Sequence, residues 1–147
     1  LQDRGIELVQ ESRSDMGAFS SSMTVEVTAG ETSHSLVGTL FGQNMPRLVA
    51  VDDFRLEAFL DGWLLLFEHE DVPGIIGGVG SELGKHGVNI AQMAVGRTSP
   101  GGTALGVLNL DAEPASEAIE AVRDYKSITS AKIVQLPTAG ELPSWLS

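Results

Sequence analysis

Residues 64–90, LLLFEHEDVPGIIGGVGSELGKHGVNI, constrain the fold more than any other stretch of the chain. A nearly unbroken apolar run from Trp63 to Phe67 has the pattern of a strand buried on both faces. An acidic turn follows, and then Ile75, Ile76, Val79 and Leu83 recur at a spacing that puts them on one face of a helix. Pro73 suits the first turn of that helix, where a missing N–H costs nothing. His86-Gly87 closes it with glycine beyond the cap, and residues 88–95 read as a second strand. The stretch is therefore a strand, a helix and a return strand, and such a unit needs further strands to bury its faces.

The following sequence supplies them. Residues 98–102 (TSPGG) form a turn into a third strand at 103–110, so the second and third strands make a hairpin. Glu113-Pro114 opens a helix with Ala115, Ala118, Ile119, Val122 and Tyr125 on one face, and residues 128–136 read as a fourth strand. The order β-α-β-β-α-β is the ferredoxin-like pattern, a four-stranded antiparallel sheet with both helices on one side. Upstream, Ile6, Leu8 and Val9 suggest an edge strand, and residues 12–22, rich in Ser and Gly, a loop. Short strands at 24–28, 34–41, 47–51 and 54–60, separated by turns, predict an antiparallel sheet whose open face is solvated or covered by chain outside this sequence. Asp61-Gly62 is a turn rather than a linker, so the two halves are expected to pack together. The predicted class is α+β: an antiparallel β-rich partial domain over 1–61, a ferredoxin-like β-α-β-β-α-β domain over 62–136, and an extended C-terminal arm with Trp145 over 137–147.

Composition narrows the partners. A formal charge of −11, with only nine scattered Lys and Arg among 147 residues, argues against nucleic acid and anionic lipid. No apolar run approaches the ~18 residues of a membrane helix. With no cysteine there is no disulfide framework and no thiolate metal site. A reducing cytoplasm is the expected compartment, and small polar molecules or protein surfaces are the expected partners. The chain opens on Leu1 rather than Met, which predicts a piece of something longer.

Gly78 to Gly84 (GVGSELG) imitates the dinucleotide fingerprint, but its glycines fall inside the helix instead of in the turn before it. Gly77, Gly78, Gly80 and Gly84 are better read as letting the helix lie close to the sheet. His69-Glu70 lacks the second histidine of a zinc-protease motif, and no nucleophile–His–acid set stands out, so no catalytic residue is assigned and no metal site is expected. His34 reads as an exposed strand histidine, with no second ligand at metal spacing. Arg47 and Arg55 are candidates for gripping an anionic effector, or plain surface arginines on strands.

Recognition chemistry concentrates at the helix start. From Gly74 onward the first turn presents unpaired N–H groups that suit a carboxylate. Asp71 beside it can accept from an ammonium group, or cap the helix. Asn89, beyond the helix, carries both a donor and an acceptor. Together these groups complement a small amino acid.

The phrases HEDVPG at 69–74, GVNI at 87–90 and GGTALGVLNLD at 101–111 resemble the ACT domain, a small-molecule regulatory module of this β-α-β-β-α-β fold. The runs GTLFG at 38–42, PRLV at 46–49 and FRLEAF at 54–59 resemble the intervening domain that precedes the ACT domain in long D-3-phosphoglycerate dehydrogenases, and the closing GELPSWL is similar to their ends. That family resemblance implies an NAD-dependent parent enzyme of serine synthesis, with its Arg–Glu–His catalytic set outside this chain. It also implies inhibition by L-serine bound between two ACT domains that join edge to edge, in a dimer or tetramer. Carried onto this sequence, the ligand positions are His69, Asp71, Val72, Gly74, Ile75, Asn89 and Ile90. Asp71 stands where some relatives have asparagine. Two alternatives stay open: the β subunit of an iron–sulfur L-serine dehydratase, and a stand-alone ACT sensor or assembly module.

Overall fold

The strands and helices are seen in a computed structural model that describes residues 4–9, 11, 21–42, 44–138 and 140–141. The chain runs β1 (Ser22–Ala29), β2 (Thr32–Phe41), β3 (Met45–Val51), β4 (Phe54–Phe59), β5 (Trp63–Glu70), α1 (Ile75–Lys85), β6 (Ile90–Arg97), β7 (Thr103–Leu110), α2 (Ser116–Arg123) and β8 (Ile128–Gln135). The first four strands form one antiparallel meander, β1-β2-β3-β4, and the second sheet has the order β6-β7-β5-β8. That second sheet is the ferredoxin-like arrangement predicted from the sequence. β5 pairs antiparallel with both β7 and β8, so its apolar run is central and buried.

Alternation along β5 divides the core in two. Leu65 and Phe67 face the helices and join Val79, Leu83, Leu108 and Val122 in one cluster. Leu64 and Leu66 face the other way and meet Leu48, Ala58, Leu105 and Val107 in a second cluster. The meander thus covers the helix-free face of the second sheet through β3 and β4. A Cβ at Gly96 of β6 would meet the Arg55 carbonyl oxygen at 2.6 Å, so glycine is what lets β4 cross so closely. Asn109, buried in β7, donates its Nδ2 to the carbonyls of Phe59 and Asp61 at 3.1 and 3.3 Å and fixes the crossover between the halves.

Several boundaries differ from the pattern reading. Ile6, Leu8 and Val9 are exposed and form no strand, because nothing among the described residues pairs with them. β6 begins at Ile90, two residues later than expected, which leaves Val88 and Asn89 in the connection. α1 begins at Ile75 with Gly74 as its N-cap in a left-handed conformation (φ 95°), so Pro73 lies ahead of the helix. The glycines of α1 are not what bring helix and sheet together. Gly77, Gly80 and Gly84 face open space, and only Gly78 is closely covered, by the Tyr125 ring. The helix meets the sheet through Ile75, Val79 and Leu83 instead. Most of the expected 12–22 loop and most of the C-terminal arm, Trp145 included, lie outside the described residues.

Candidate functional site

β5 ends by delivering His69 into the protein and Asp71 to its surface. His69 is 2 % exposed, lies on the helix side of the sheet and stacks on Phe67 with ring centroids 5.4 Å apart. Its Nδ1 is 2.7 Å from the Glu70 carbonyl oxygen, which can only accept, so Nδ1 carries the proton. In the neutral ring Nε2 is then the acceptor, and it is buried with no partner among the described residues. Leaving such a group unsatisfied costs about 1–3 kcal/mol, a cost that a donor from a bound molecule offsets.

The turn beyond is held in shape by backbone bonds. Glu70 N–H donates to the Ser127 carbonyl at 3.0 Å, Asp71 N–H to Gly102 at 2.8 Å, and Val72 N–H back to Glu70 at 2.9 Å. Ser127, itself at positive φ, donates its hydroxyl to Glu70 Oε2 at 3.0 Å. Asp71 does not cap α1. Its Oδ2 accepts from Arg97 Nη1 at 2.9 Å and from Gly101 N–H at 3.1 Å. The Arg97 hydrogen bond, and after it the Gly101 N–H, hold the Asp71 carboxyl below its usual range. Both bonds fall on one oxygen, and among the described residues Oδ1 receives none. Arg97 was not singled out from the sequence; it sits at the far end of β6 and only the sheet register brings it to Asp71.

α1 begins without a side-chain cap. Gly74 uses its carbonyl to accept Gly78 N–H at 2.8 Å, and the first-turn N–H groups from Ile75 to Gly77 have no helical partner. Free first-turn N–H groups, a carboxylate oxygen without a partner among the described residues and a buried imidazole nitrogen without one therefore belong to one short stretch, residues 69–77, with Val72 exposed.

Asn89 and Ile90 are elsewhere in the same chain. Ile90 pairs with Leu110, which pairs with Trp63 at the start of β5, whereas Arg97 pairs with Ala104 opposite His69. Asn89 thus lies at the opposite end of the sheet, about 20 Å from His69 at ~3.3 Å per residue. Its Nδ2 donates to Asp111 Oδ2 at 2.6 Å, which orients the amide and leaves its oxygen open. β6 is an edge strand, and Met93 and Val95 on its helix side are exposed.

The two arginines are also separate. Arg47 is 15 % exposed and stacked between Phe41 and Phe59, with its Nη1 on the Pro46 carbonyl. It braces the meander. Arg55 is exposed and pairs with Ala50, four residues along β4 from Phe59, which faces Arg47. His34 is exposed and bonds Asp52 at 2.9 Å. Among the described residues no group of three metal-binding side chains is assembled, and no helix is long and apolar enough to cross a membrane.

Comparison with known proteins agrees with this fold. Residues 63–126 match the ACT domain model, and residues 1–52 match that of the D-3-phosphoglycerate dehydrogenase intervening domain. The chain matches the C-terminal regulatory region of D-3-phosphoglycerate dehydrogenases. It is 29 % identical over 136 residues to the Bacillus subtilis D-3-phosphoglycerate dehydrogenase, covering 92 % of the chain and 26 % of that protein. The Methanocaldococcus jannaschii enzyme is 32 % identical over 135 residues, 92 % of the chain and 25 % of its own length. The Archaeoglobus fulgidus enzyme is 33 % identical over 136 residues, 91 % of the chain and 26 % of its own length. The chain therefore spans about a quarter of the length of these relatives. The ACT match stops at residue 126, yet β8 completes the sheet by pairing along β5. In this ACT domain the glycines of α1 lie within the helix, so they do not form a phosphate-binding turn, and no part of a dinucleotide site is built from them.

Proposed function

We propose that this chain is the amino-acid-sensing and oligomerisation region of a cytoplasmic NAD-dependent D-3-phosphoglycerate dehydrogenase, with L-serine as its ligand. Residues 1–61 belong to the intervening domain, 62–136 to the ACT domain, and 137–147 to a terminal arm. The observation that carries the reading is the buried, partnerless Nε2 of His69, five residues before the uncapped Gly74 start of α1 and on the helix side of the sheet. In this reading the ligand carboxylate accepts from the N–H groups at Ile75 and after. The ammonium donates to Asp71 Oδ1, and the hydroxyl donates to His69. Val72 and Gly74 shape the rim.

Asn89 and Ile90 reach the site from a second copy. Antiparallel pairing of β6 with β6 of a two-fold partner brings the start of one strand beside the end of the other. That sets the partner's Asn89 near Asp71 and extends the sheet to about eight strands. Exposed Met93 and Val95 on the same edge support this reading. Arg47 is stacked on two rings with its Nε 3.8 Å from Glu57 Oε1, which leaves Arg55 as the more open arginine for an anionic effector.

Titration calorimetry with L-serine tests the proposal. Binding should be absent in His69→Ala and in Asn89→Ala separately. Mixing the two variants should restore about one intact site in four, because each mixed dimer holds one unmutated His69–Asn89 pair. Failure of the mixture, with both variants folded and dimeric, sinks the shared-site arrangement. Silence of the unmutated protein at millimolar serine sinks the ligand.

A further inference from the structure

A cavity of about 200 Å³ opens where the meander meets the second sheet. Its apolar floor comes from both halves, Val51 and Phe54 on one side and Leu66 and Leu105 on the other. Ligand sites favour such seams between packed units. The volume is below the usual range of ligand pockets and suits a small metabolite.

The charges along its rim are specific. Leu66 pairs with Lys132 and Glu68 with Ser130, so Glu68 and Lys132 are diagonal neighbours on one face of β5 and β8. Both line the cavity, and among the described residues no ion pair joins them. The opposite wall is already satisfied. Asp52 accepts His34 Nδ1 at 2.9 Å on one oxygen and Ser35 N–H at 2.7 Å on the other. Its own N–H donates to the Ser35 carbonyl at 2.8 Å. These bonds hold Asp52 at φ 48°, a left-handed conformation that costs a non-glycine residue energy. The wall is thus a braced turn, and among the described lining residues Glu68 and Lys132 are the charged groups in no ion pair.

We propose that this seam cavity is a second small-molecule site, which takes a zwitterionic α-amino acid with an apolar side chain. Lys132 takes the carboxylate, Glu68 the ammonium, and the leucine, valine and phenylalanine floor takes the side chain. A dianion meets two carboxylates against one ammonium, and a singly charged molecule leaves Glu68 or Lys132 uncompensated. A zwitterion satisfies both. The site is separate from the helix turn, because Glu68 and His69 are adjacent on β5 and point to opposite faces. The β5–β7 register is unbroken through these two residues, so the two sites stand on opposite faces of one strand.

Backbone amide NMR on the 147-residue chain tests this, with L-leucine as the probe. L-Leucine should shift the amides of Phe54, Leu66 and Lys132 and leave those of Ile75 to Gly77 in place. Isoamylamine, lacking the carboxylate, and 4-methylpentanoate, lacking the ammonium, should each bind at least about tenfold more weakly. Glu68→Gln and Lys132→Gln should weaken leucine by a similar factor. Both residues are exposed, so the spectra should otherwise be retained. Asp71→Asn should leave leucine binding unchanged, which separates this site from the serine turn. No shift at the seam by about 10 mM leucine overturns the site. Equal binding of isoamylamine or 4-methylpentanoate overturns the zwitterion assignment.

Discussion

Gly106→Ala probes the packing that supports the helix-turn site. Gly106 lies in β7 opposite Phe67 of β5. A Cβ built there overlaps Cζ and Cε1 of the Phe67 ring and lies 2.8 Å from Cε2. Phe67 is 1 % exposed and backed by the helix-side cluster, so its ring has no open direction in which to swing. Overpacking of a filled core costs about 1–3 kcal/mol, and a rigid ring against backbone belongs at the upper end. At about 2–4 °C per kcal/mol for a protein of this size, the midpoint of thermal unfolding should fall by roughly 6–12 °C. The measurement is circular dichroism melting at matched protein concentration, because self-association shifts the midpoint by mass action. Gly106→Ala should also weaken serine binding, since His69 stacks on the displaced ring. The double variant with Phe67→Leu should be less destabilised than the sum of the singles, by about 1 kcal/mol or more. A Gly106→Ala midpoint equal to that of the unmutated protein, or strict additivity with Phe67→Leu, refutes the reasoning.

Asp71 gives a pH prediction. Its folded value is lowered from the ordinary 3.8, so its contribution is full above that value and is lost as pH falls through the lowered folded value. A carboxyl carbon NMR titration should place the Asp71 midpoint below 3.8, and a midpoint above it would contradict the Arg97 pairing. Arg47→Ala should cost about 1 kcal/mol in urea unfolding through the lost Phe41 and Phe59 stacking, and should leave anion binding unaffected. Gly80→Ala should raise stability by up to about 1 kcal/mol, because the new methyl meets open space in a helix interior. A lower midpoint for that variant, at concentrations where the chain is monomeric, would show that the space is not open.

The order of elements was legible because it rests on local chemistry. The apolar run at β5, the helical spacing of Ile75, Val79 and Leu83, and Gly87 at positive φ past α1 are each set by residues within a few positions of one another. His69 and Asp71 were legible as neighbours in the turn before α1, and so as a candidate site, for the same reason. What each of them bonds was not. Asp71 is held by Arg97, 26 residues away, and Arg47 lies between two phenylalanines of different strands. The Phe67 ring that fills the space above Gly106 comes from a third place in the chain. The glycines of α1 suggested close contact with the sheet, yet three of the four face open space, because a missing side chain says nothing about which neighbour stands opposite. Sequence fixes period, caps and turns, which are properties of neighbouring residues. Partners across strands depend on register, and register belongs to the whole sheet. Only the tertiary structure set Asn89 and His69 at opposite ends of one sheet, too far apart to meet within a single chain.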